Sequence, residues 1–276
     1  MKYISKFLIP WVSCLTLLLA TAAHTEIVHI AHCQLQCPSL SSASNEVVVR
    51  HLFAASINPQ TGLAEWVAYR VIADAVGVAS LLPRWWQADE LLELTPQPDT
   101  VTDNGPRLLQ PDLSNAQDRD YRVNEFSLNL EDRGRLTPMT SFANTPYWSE
   151  LNNLSNMAPI PTSLRVGSWA RLEQAVNELA AEIGNLYVIS GPLYESGAIQ
   201  TQPDGTILPS AYFKLISSEN RYAAFVFDHD IPQQANFCEQ LDSLQWIEQS
   251  TGLTLFPVSL AQRSADLAAE LGCVAN

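Results

Sequence analysis

A few polar residues in the middle of the chain have types that can bind an anion or a metal ion. The run Asp132–Arg135 (Asp-Arg-Gly-Arg) follows an apolar segment, Ser155-Asn156 comes later, and Glu173 lies in the run Trp169–Glu173. Arginine can bind phosphate oxygens in a bidentate manner, and carboxylate and amide oxygens are ligands of Mg²⁺. These residue types could form a site for an anion or a metal ion, provided that the fold brings them together.

The elements predicted around these residues form an α+β fold. Apolar residues recur at helical spacing over Val166–Ile183, and Gly184 ends this helix. Strands are predicted at Val47–Phe53, Glu65–Ile72, Phe126–Leu130, Leu186–Ile189, Ala211–Ile216 and Tyr222–Phe227, further helices at Asp242–Ser250 and Leu260–Leu271, and a long excursion at Leu81–Asn115. Most strands follow one another too closely for helical crossovers, so we expect a largely antiparallel sheet in a single domain.

Further motifs occur in a fixed order along nearly the whole chain. They are Cys33 with Cys37, Trp66–Tyr69, Ser190–Glu195 (Ser-Gly-Pro-Leu-Tyr-Glu), Pro209–Tyr212, Tyr222–Phe225, Cys238 and Cys273. Together with Asp132–Arg135 they resemble the sugar-nonspecific DNA/RNA endonucleases, typified by the Serratia nuclease and related more distantly to endonuclease G. Several motifs in one order are far more specific than a single match.

This resemblance carries expectations about fold, cofactor and substrate. It implies a mainly antiparallel central sheet flanked by helices, with a ββα-metal (His-Me finger) site. It also implies Mg²⁺ as the cofactor and the phosphodiester backbone of DNA and RNA as the substrate. Asp132, Arg133, Asn156 and Glu173 match site residues of the family, and Arg84 matches a phosphate-contacting arginine once a small gap is allowed.

Two positions depart from the family pattern where the chemistry is most demanding. The fourth residue of the Asp-Arg-Gly motif is a histidine general base in the family, and here it is Arg135. The asparagine that binds the metal falls at Arg165. A third position, an arginine of the family in the long helix, is Asn177 here.

The first departure removes a proton acceptor. Imidazole has a pKa near about 6.5, whereas arginine titrates above about 12.5. A general base usually contributes about 10²–10⁴-fold to the rate, and Arg135 would lose most of this. No histidine lies between His51 and His229, so none is local to the motif in sequence.

The second departure removes a metal ligand. A guanidinium has five donors and no acceptor, and its charge would repel a dication by about 4 kcal/mol at 4 Å for unit charges and an effective dielectric of about 20. Asp132 and Glu173 still offer oxygen atoms, so metal binding is weakened rather than excluded. The sequence therefore predicts an endonuclease-family protein with lost or impaired hydrolysis. The alternative is a non-catalytic module that binds phosphate, nucleic acid or a protein partner.

The N-terminus has the pattern of an export signal. Lys2 and Lys6 precede an apolar run, and Ala20-Thr21-Ala22 offers a small-residue cleavage site. We expect residues 1–22 to be a cleaved signal peptide and residues 23–276 to form one endonuclease-like domain. The mature protein would be secreted or periplasmic, with no membrane anchor after cleavage.

The four cysteines beyond this segment, Cys33, Cys37, Cys238 and Cys273, are even in number. In an exported chain they favour two disulfides, for which sequence allows three connectivities. The closeness of Cys33 to Cys37 favours their pairing, which leaves Cys238 with Cys273. A zinc site is the rival interpretation, but few histidines lie near a cysteine pair.

Composition limits the remaining possibilities. The chain of 276 residues has a formal charge of −14 and only 16% charged residues, below the average of about 25%. Its hydrophobic content of 47% excludes a disordered acidic tail. Since no basic excess is present, binding of nucleic acid would depend on a local cluster of arginines.

Overall fold

The computed structural model describes residues 29–40, 45–58, 63–84, 86–87, 89–92, 134–194, 200–201, 207–256 and 266–273. The predicted signal peptide, the predicted strand Phe126–Leu130, and the site residues Asp132 and Arg133 lie outside these ranges. Within them, no helix has the length and apolar character needed to cross a membrane.

The described elements alternate between antiparallel strands and a small number of helices. The strands are β1 (Ser39–Leu40), β2 (Glu46–Val49), β3 (Ala54–Ile57), β4 (Ala64–Ile72), β5 (Gly134–Arg135), β6 (Met157–Ala158), β7 (Asn185–Leu193), β8 (Gln200–Thr201), β9 (Ile207–Leu208), β10 (Ala211–Ser218), β11 (Arg221–Asp228) and β12 (Leu253–Thr254). The helices are α1 (Thr162–Arg165), α2 (Ser168–Ile183), α3 (Leu244–Thr251) and α4 (Leu267–Glu270).

A six-stranded sheet forms the centre, in the order β11-β10-β7-β4-β3-β2. Every neighbouring pair in it is antiparallel, which confirms the prediction of a largely antiparallel sheet. The predicted single strand Val47–Phe53 is wrong, because the chain reverses there from β2 into β3. The reversal is closed by a hydrogen bond from Arg50 N to Phe53 O (2.8 Å).

Each face of the sheet buries its own apolar cluster. The larger cluster packs α2 against the sheet through four residues of the predicted apolar stripe, Trp169, Leu172, Val176 and Leu179. Ile183, the last residue of that predicted stripe, is instead 38% exposed. The other cluster includes Ile247 of α3 and lies on the opposite set of strand positions. Burial on both faces places the sheet inside the molecule and leaves α2 fixed along one face.

The long predicted helix is divided near its start. It ends at Gly184 as expected, with a positive φ of 95°. However, α1 ends at Arg165 and α2 begins only at Ser168. Gly167 lies at the break, where an added Cβ would be 2.3 Å from Ser163 O and 2.5 Å from Gln233 O. Two backbone segments therefore approach this glycine too closely for any side chain.

Both disulfides form as predicted, Cys33–Cys37 and Cys238–Cys273. The second joins the short 3₁₀ helix Phe237–Gln240 to the segment after α4, across a sequence separation of 35. Only Leu267–Glu270 of the predicted helix Leu260–Leu271 is helical among the described residues.

Candidate functional site

A small hairpin-like pair, β5 with β6, leads into α1 and α2 and gives the order strand, strand, helix. Gly134 pairs with Ala158 and Arg135 with Met157. The central sheet holds both strands. Ser190 Oγ of β7 donates to Leu136 O (3.1 Å), just after β5. The Tyr212 hydroxyl of β10 donates to Pro159 O, just after β6.

Asn156 is fully buried and fixes this pair of strands. Its Oδ1 accepts from Thr137 N (2.8 Å), and its Nδ2 donates to Thr137 O and Leu151 O, both at 3.0 Å. These bonds join the chain after β5 to the chain before β6. Both amide protons of the side chain, as well as its oxygen, are therefore committed within the fold.

Arg135 is half-buried and held by two neighbours. Its guanidinium donates to Asn152 Oδ1 (2.7 Å), and its Cζ lies 4.3 Å from the centre of the Trp86 ring. Asn152 in turn donates to Pro83 O (3.1 Å), next to Arg84. The segment that carries Arg84 is thus fixed beside Arg135. Trp86 is only 3% exposed, so it packs against the arginine and does not offer a surface for a stacked base.

Arg165 is the last residue of α1 and is half-buried. Its backbone N–H donates to Pro161 O (2.8 Å), which closes the single turn of that helix. The break at Gly167 then redirects the chain into α2, whose second turn contains Glu173. The local backbone therefore carries Arg165 and Glu173 on two successive, contacting helices.

Glu173 forms an ion pair with a lysine that sequence reasoning missed. Lys214 Nζ lies 2.9 Å from Glu173 Oε1, 3.4 Å from the Tyr69 hydroxyl and 4.0 Å from the centre of the Trp169 ring. The side chain of Lys214 is 0% exposed and that of Glu173 is 14% exposed. The signal that could have found it is a lone lysine within the apolar run Ala211–Ile216.

Burial acts in opposite directions on the two members of this pair. It raises the pKa of the Glu173 carboxyl, and the neighbouring Lys214 ammonium opposes that rise. It lowers the pKa of Lys214, and the Glu173 carboxylate opposes that fall. The attraction between the two groups therefore offsets part of the cost of burying them, and removal of either one would leave the other as an uncompensated buried group.

The strand register brings β5 and Glu173 to the same face of the sheet. Ser190 of β7 pairs with Lys214 of β10, and adjacent strands lie about 4.8 Å apart. Ser190 holds the carbonyl that follows Arg135, while Lys214 holds Glu173. The end of β5 and the Glu173 carboxylate of α2 are thus held by two paired residues on the neighbouring strands β7 and β10.

A histidine distant in sequence reaches the segment between β5 and α2. His51 Nδ1 lies 2.7 Å from Glu150 Oε1, and the imidazole stacks on Tyr147 with ring centroids 3.9 Å apart. The His51 side chain is 59% exposed. Since a carboxylate only accepts hydrogen bonds, Nδ1 is the donor in this contact.

The buried carboxylate of Asp89 joins the segments that carry His51 and Asn156. Asp89 accepts from Arg50 and from Ser155 Oγ, and Leu91 N donates to it at 3.0 Å. Arg50 precedes His51 and Ser155 precedes Asn156. Asp89 therefore connects the turn after β2 with the segment that leads into β6. Its contacts indicate a structural role.

The described residues do not fit the family's metal ion. No group of three or more His, Cys, Asp or Glu side chains in the described ranges could hold one. Arg165 has no acceptor atom, Asn156 has no unused polar atom, and Glu173 Oε1 is bound to Lys214. The donor set favours an anion over a divalent cation.

Comparisons with known proteins agree with this architecture. The family model for DNA/RNA non-specific endonuclease matches residues 34–261. The chain is 34% identical to a nuclease of Serratia marcescens over 246 residues, which cover 86% of this chain and 84% of that protein. It is 23% identical to nuclease C1 of Cunninghamella echinulata var. echinulata over 255 residues, which cover 84% of this chain and 91% of that protein.

A solved structure shares the fold. The crystal structure of an EndoG/EndoGI complex matches with a TM-score of 0.53 and 20% sequence identity, over 77% of this chain and 86% of that chain. This match confirms the predicted α+β fold with its ββα-metal arrangement. On the family match and the identity to the Serratia marcescens protein, the chain belongs to the DNA/RNA non-specific endonuclease family.

Proposed function

We propose that this chain binds the phosphodiester backbone of DNA and RNA without a metal ion and hydrolyses it poorly or not at all. The observation that carries the proposal is the setting of Arg135. By its place in the Asp-Arg-Gly motif we assign Arg135 to the position of the family's general base, and Asn152 and Trp86 hold its guanidinium. A group that stays protonated cannot take a proton from water at neutral pH.

The same substitutions favour binding of an anion. The family is metal-dependent and uses a divalent cation to balance the charge of the phosphate. Here Arg135 and Arg165 supply two positive charges that do not depend on a metal. Arg133 and Arg84 would add two more guanidinium groups, and such groups bind phosphate in a bidentate manner. Asp132 is the remaining site position of the family, and we assign it no role in binding or catalysis. Asn156 acts by holding β5 and β6 in place.

Binding to a short oligonucleotide tests this proposal. A labelled single-stranded 12-mer, titrated at low salt, should bind with the same dissociation constant in Mg²⁺ and in EDTA. Arg165→Gln should weaken binding about tenfold, because one phosphate contact is lost. Arg221→Gln is the matched control and should change binding less than twofold, since Arg221 pairs with Glu270. Loss of binding in EDTA would contradict the proposal.

A second candidate function is hydrolysis of nucleic acid with a different proton acceptor. The favouring observation is His51, which Glu150 orients and which is exposed to solvent. A carboxylate-oriented histidine is a common form of general base. If the purified protein cleaves nucleic acid, His51→Ala should lower the rate at least about 10²-fold. Cleavage that persists in His51→Ala would exclude this histidine as the base.

The N-terminal segment and the cysteines indicate the compartment in which the protein works. We infer export, with residues 1–22 removed as a signal peptide and residues 23–276 forming one domain in the periplasm or outside the cell. Two disulfides are consistent with an oxidising compartment. A protein partner is an alternative to nucleic acid, because the structurally similar EndoG is inhibited in its complex with EndoGI. Mass measurement of the mature protein from an expressing cell would test the cleavage.

A further inference from the structure

We propose that Lys214 is a positioning residue that keeps the Glu173 carboxylate from opposing anion binding by the arginines. The inference deepens the proposed function and rests on it. It assigns a role to a side chain that is not among the candidate site residues predicted from the sequence. The role depends on where Lys214 lies, what it touches and which charges surround it.

The Lys214 side chain is fully buried and is enclosed by its neighbours. It projects from β10 onto the face that packs against α2, between Trp169 of that helix and Tyr69 of β4. Its ammonium reaches Glu173 Oε1 at 2.9 Å. A lysine is rarely buried completely unless it is paired, so this position calls for a specific reason.

The Lys214–Glu173 ion pair lies near the end of β5. Ser190, the register partner of Lys214, holds the carbonyl of Leu136 next to Arg135. Glu173 is therefore a negative charge placed beside a cluster that would attract phosphate. Without Lys214, that charge would cancel part of the attraction, because charges near a protein surface interact at an effective dielectric of about 20, well below that of water.

The pair also fixes the direction of the carboxylate. Bound at Oε1 by Lys214, the Glu173 side chain is drawn towards β10. The cation–π contact of Lys214 with Trp169 of the preceding helical turn adds to this constraint. Lys214 thus neutralises Glu173 and restrains its orientation without touching the ligand.

Charge variants of the pair test this inference in the full mature protein, with the labelled 12-mer in EDTA as the probe. Lys214→Met should weaken binding about tenfold, since it leaves the carboxylate uncompensated. Adding Glu173→Gln to that variant should recover most of the lost affinity. Glu173→Gln alone should tighten binding severalfold, which keeps the test valid if Lys214→Met does not fold.

Glu270→Gln is the matched control. It also removes one negative charge from an ion pair, with Arg221 of β11, and should leave the dissociation constant unchanged within twofold. Equal weakening by Lys214→Met and by the double variant would indicate a purely structural lysine and overturn the inference. An unchanged affinity in Glu173→Gln would overturn it as well. Absence of binding by the wild-type protein would instead refute the proposed function, and this inference with it.

Discussion

Asn156 is a single residue at a site position of the family whose side chain forms structural hydrogen bonds. Its three side-chain hydrogen bonds are buried and join Thr137 to Leu151. An unpaired buried carbonyl or amide costs about 1–3 kcal/mol. The side chain is therefore more important for holding β5 beside β6 than for contacting a ligand.

Replacement of Asn156 by alanine should lower the free energy of unfolding by about 3 kcal/mol, because three buried groups lose their partners. Denaturant unfolding measures the change. Asn144→Ala is the control, since Asn144 is exposed and donates one hydrogen bond to Val76 O, and it should cost less than about 1 kcal/mol. A stable Asn156→Ala protein that fails to bind the oligonucleotide would show that this residue contacts the ligand.

His32 predicts a pH dependence of stability. Burial lowers the pKa of His32, and the hydrogen bond of its Nε2 to Arg50 O (2.7 Å) opposes this only in part. The unfolded chain, with a histidine pKa near about 6.5, then binds a proton more readily than the folded protein. Stability from this group is therefore present above about pH 6.5 and is lost as the pH falls below it.

Denaturant unfolding at pH 7.5 and pH 5.5 tests this sign. The wild-type protein should lose stability between the two values, and His32→Gln, which keeps an N–H donor near Arg50 O, should lose less. An identical loss in both proteins would show that other groups are responsible for the acid sensitivity.

At the scale of elements, the break between α1 and α2 decides where Arg165 lies. Periodicity located the body of α2 and its end at Gly184, because both depend on residues within the helix. It did not locate the start, since the crowding at Gly167 involves Gln233, which is distant in sequence. The reversal between β2 and β3 was missed for a similar reason, because Arg50 and His51 are bound by Asp89 and Glu150.

Gly167→Ala should be costly for this reason. The added Cβ meets two backbone oxygens that cannot move independently, and we expect a loss of about 3 kcal/mol in unfolding free energy together with weaker oligonucleotide binding. Gly184→Ala has open space around its Cβ and only a positive φ to overcome, which costs about 1–2 kcal/mol. Equal costs for the two variants would refute the close approach at Gly167.

At the scale of the whole molecule, charge and cross-links set the conditions under which the site works. The chain has a net charge of −14, so its long-range field repels nucleic acid and binding would depend on local contacts with the arginines. Family membership, the antiparallel sheet and both disulfides followed from sequence motifs. The Lys214–Glu173 pair did not, because the lone lysine in the apolar run Ala211–Ile216 indicates a buried charge but not its partner on α2, which is distant in sequence.

The two disulfides should differ in their contribution to stability. In the chain-entropy estimate, the longer loop closed by Cys238–Cys273 contributes about 4 kcal/mol and the short loop of Cys33–Cys37 about 2 kcal/mol. Serine replacement of each pair, followed by denaturant unfolding, measures the two values. The reverse order would show that the short N-terminal loop constrains more of the fold than its length indicates.

The central claim is that Arg135 and Arg165 replace the base and metal ligand of the family. Cleavage of plasmid DNA with Mg²⁺ or Mn²⁺, by the wild-type protein and by the double variant Arg135→His/Arg165→Asn, tests it most directly. The wild-type protein should cleave at background level, the double variant should gain metal-dependent cleavage, and either single change should do little because base and metal act together. Rapid Mg²⁺-dependent cleavage by the wild-type protein, purified free of other nucleases, would contradict the account.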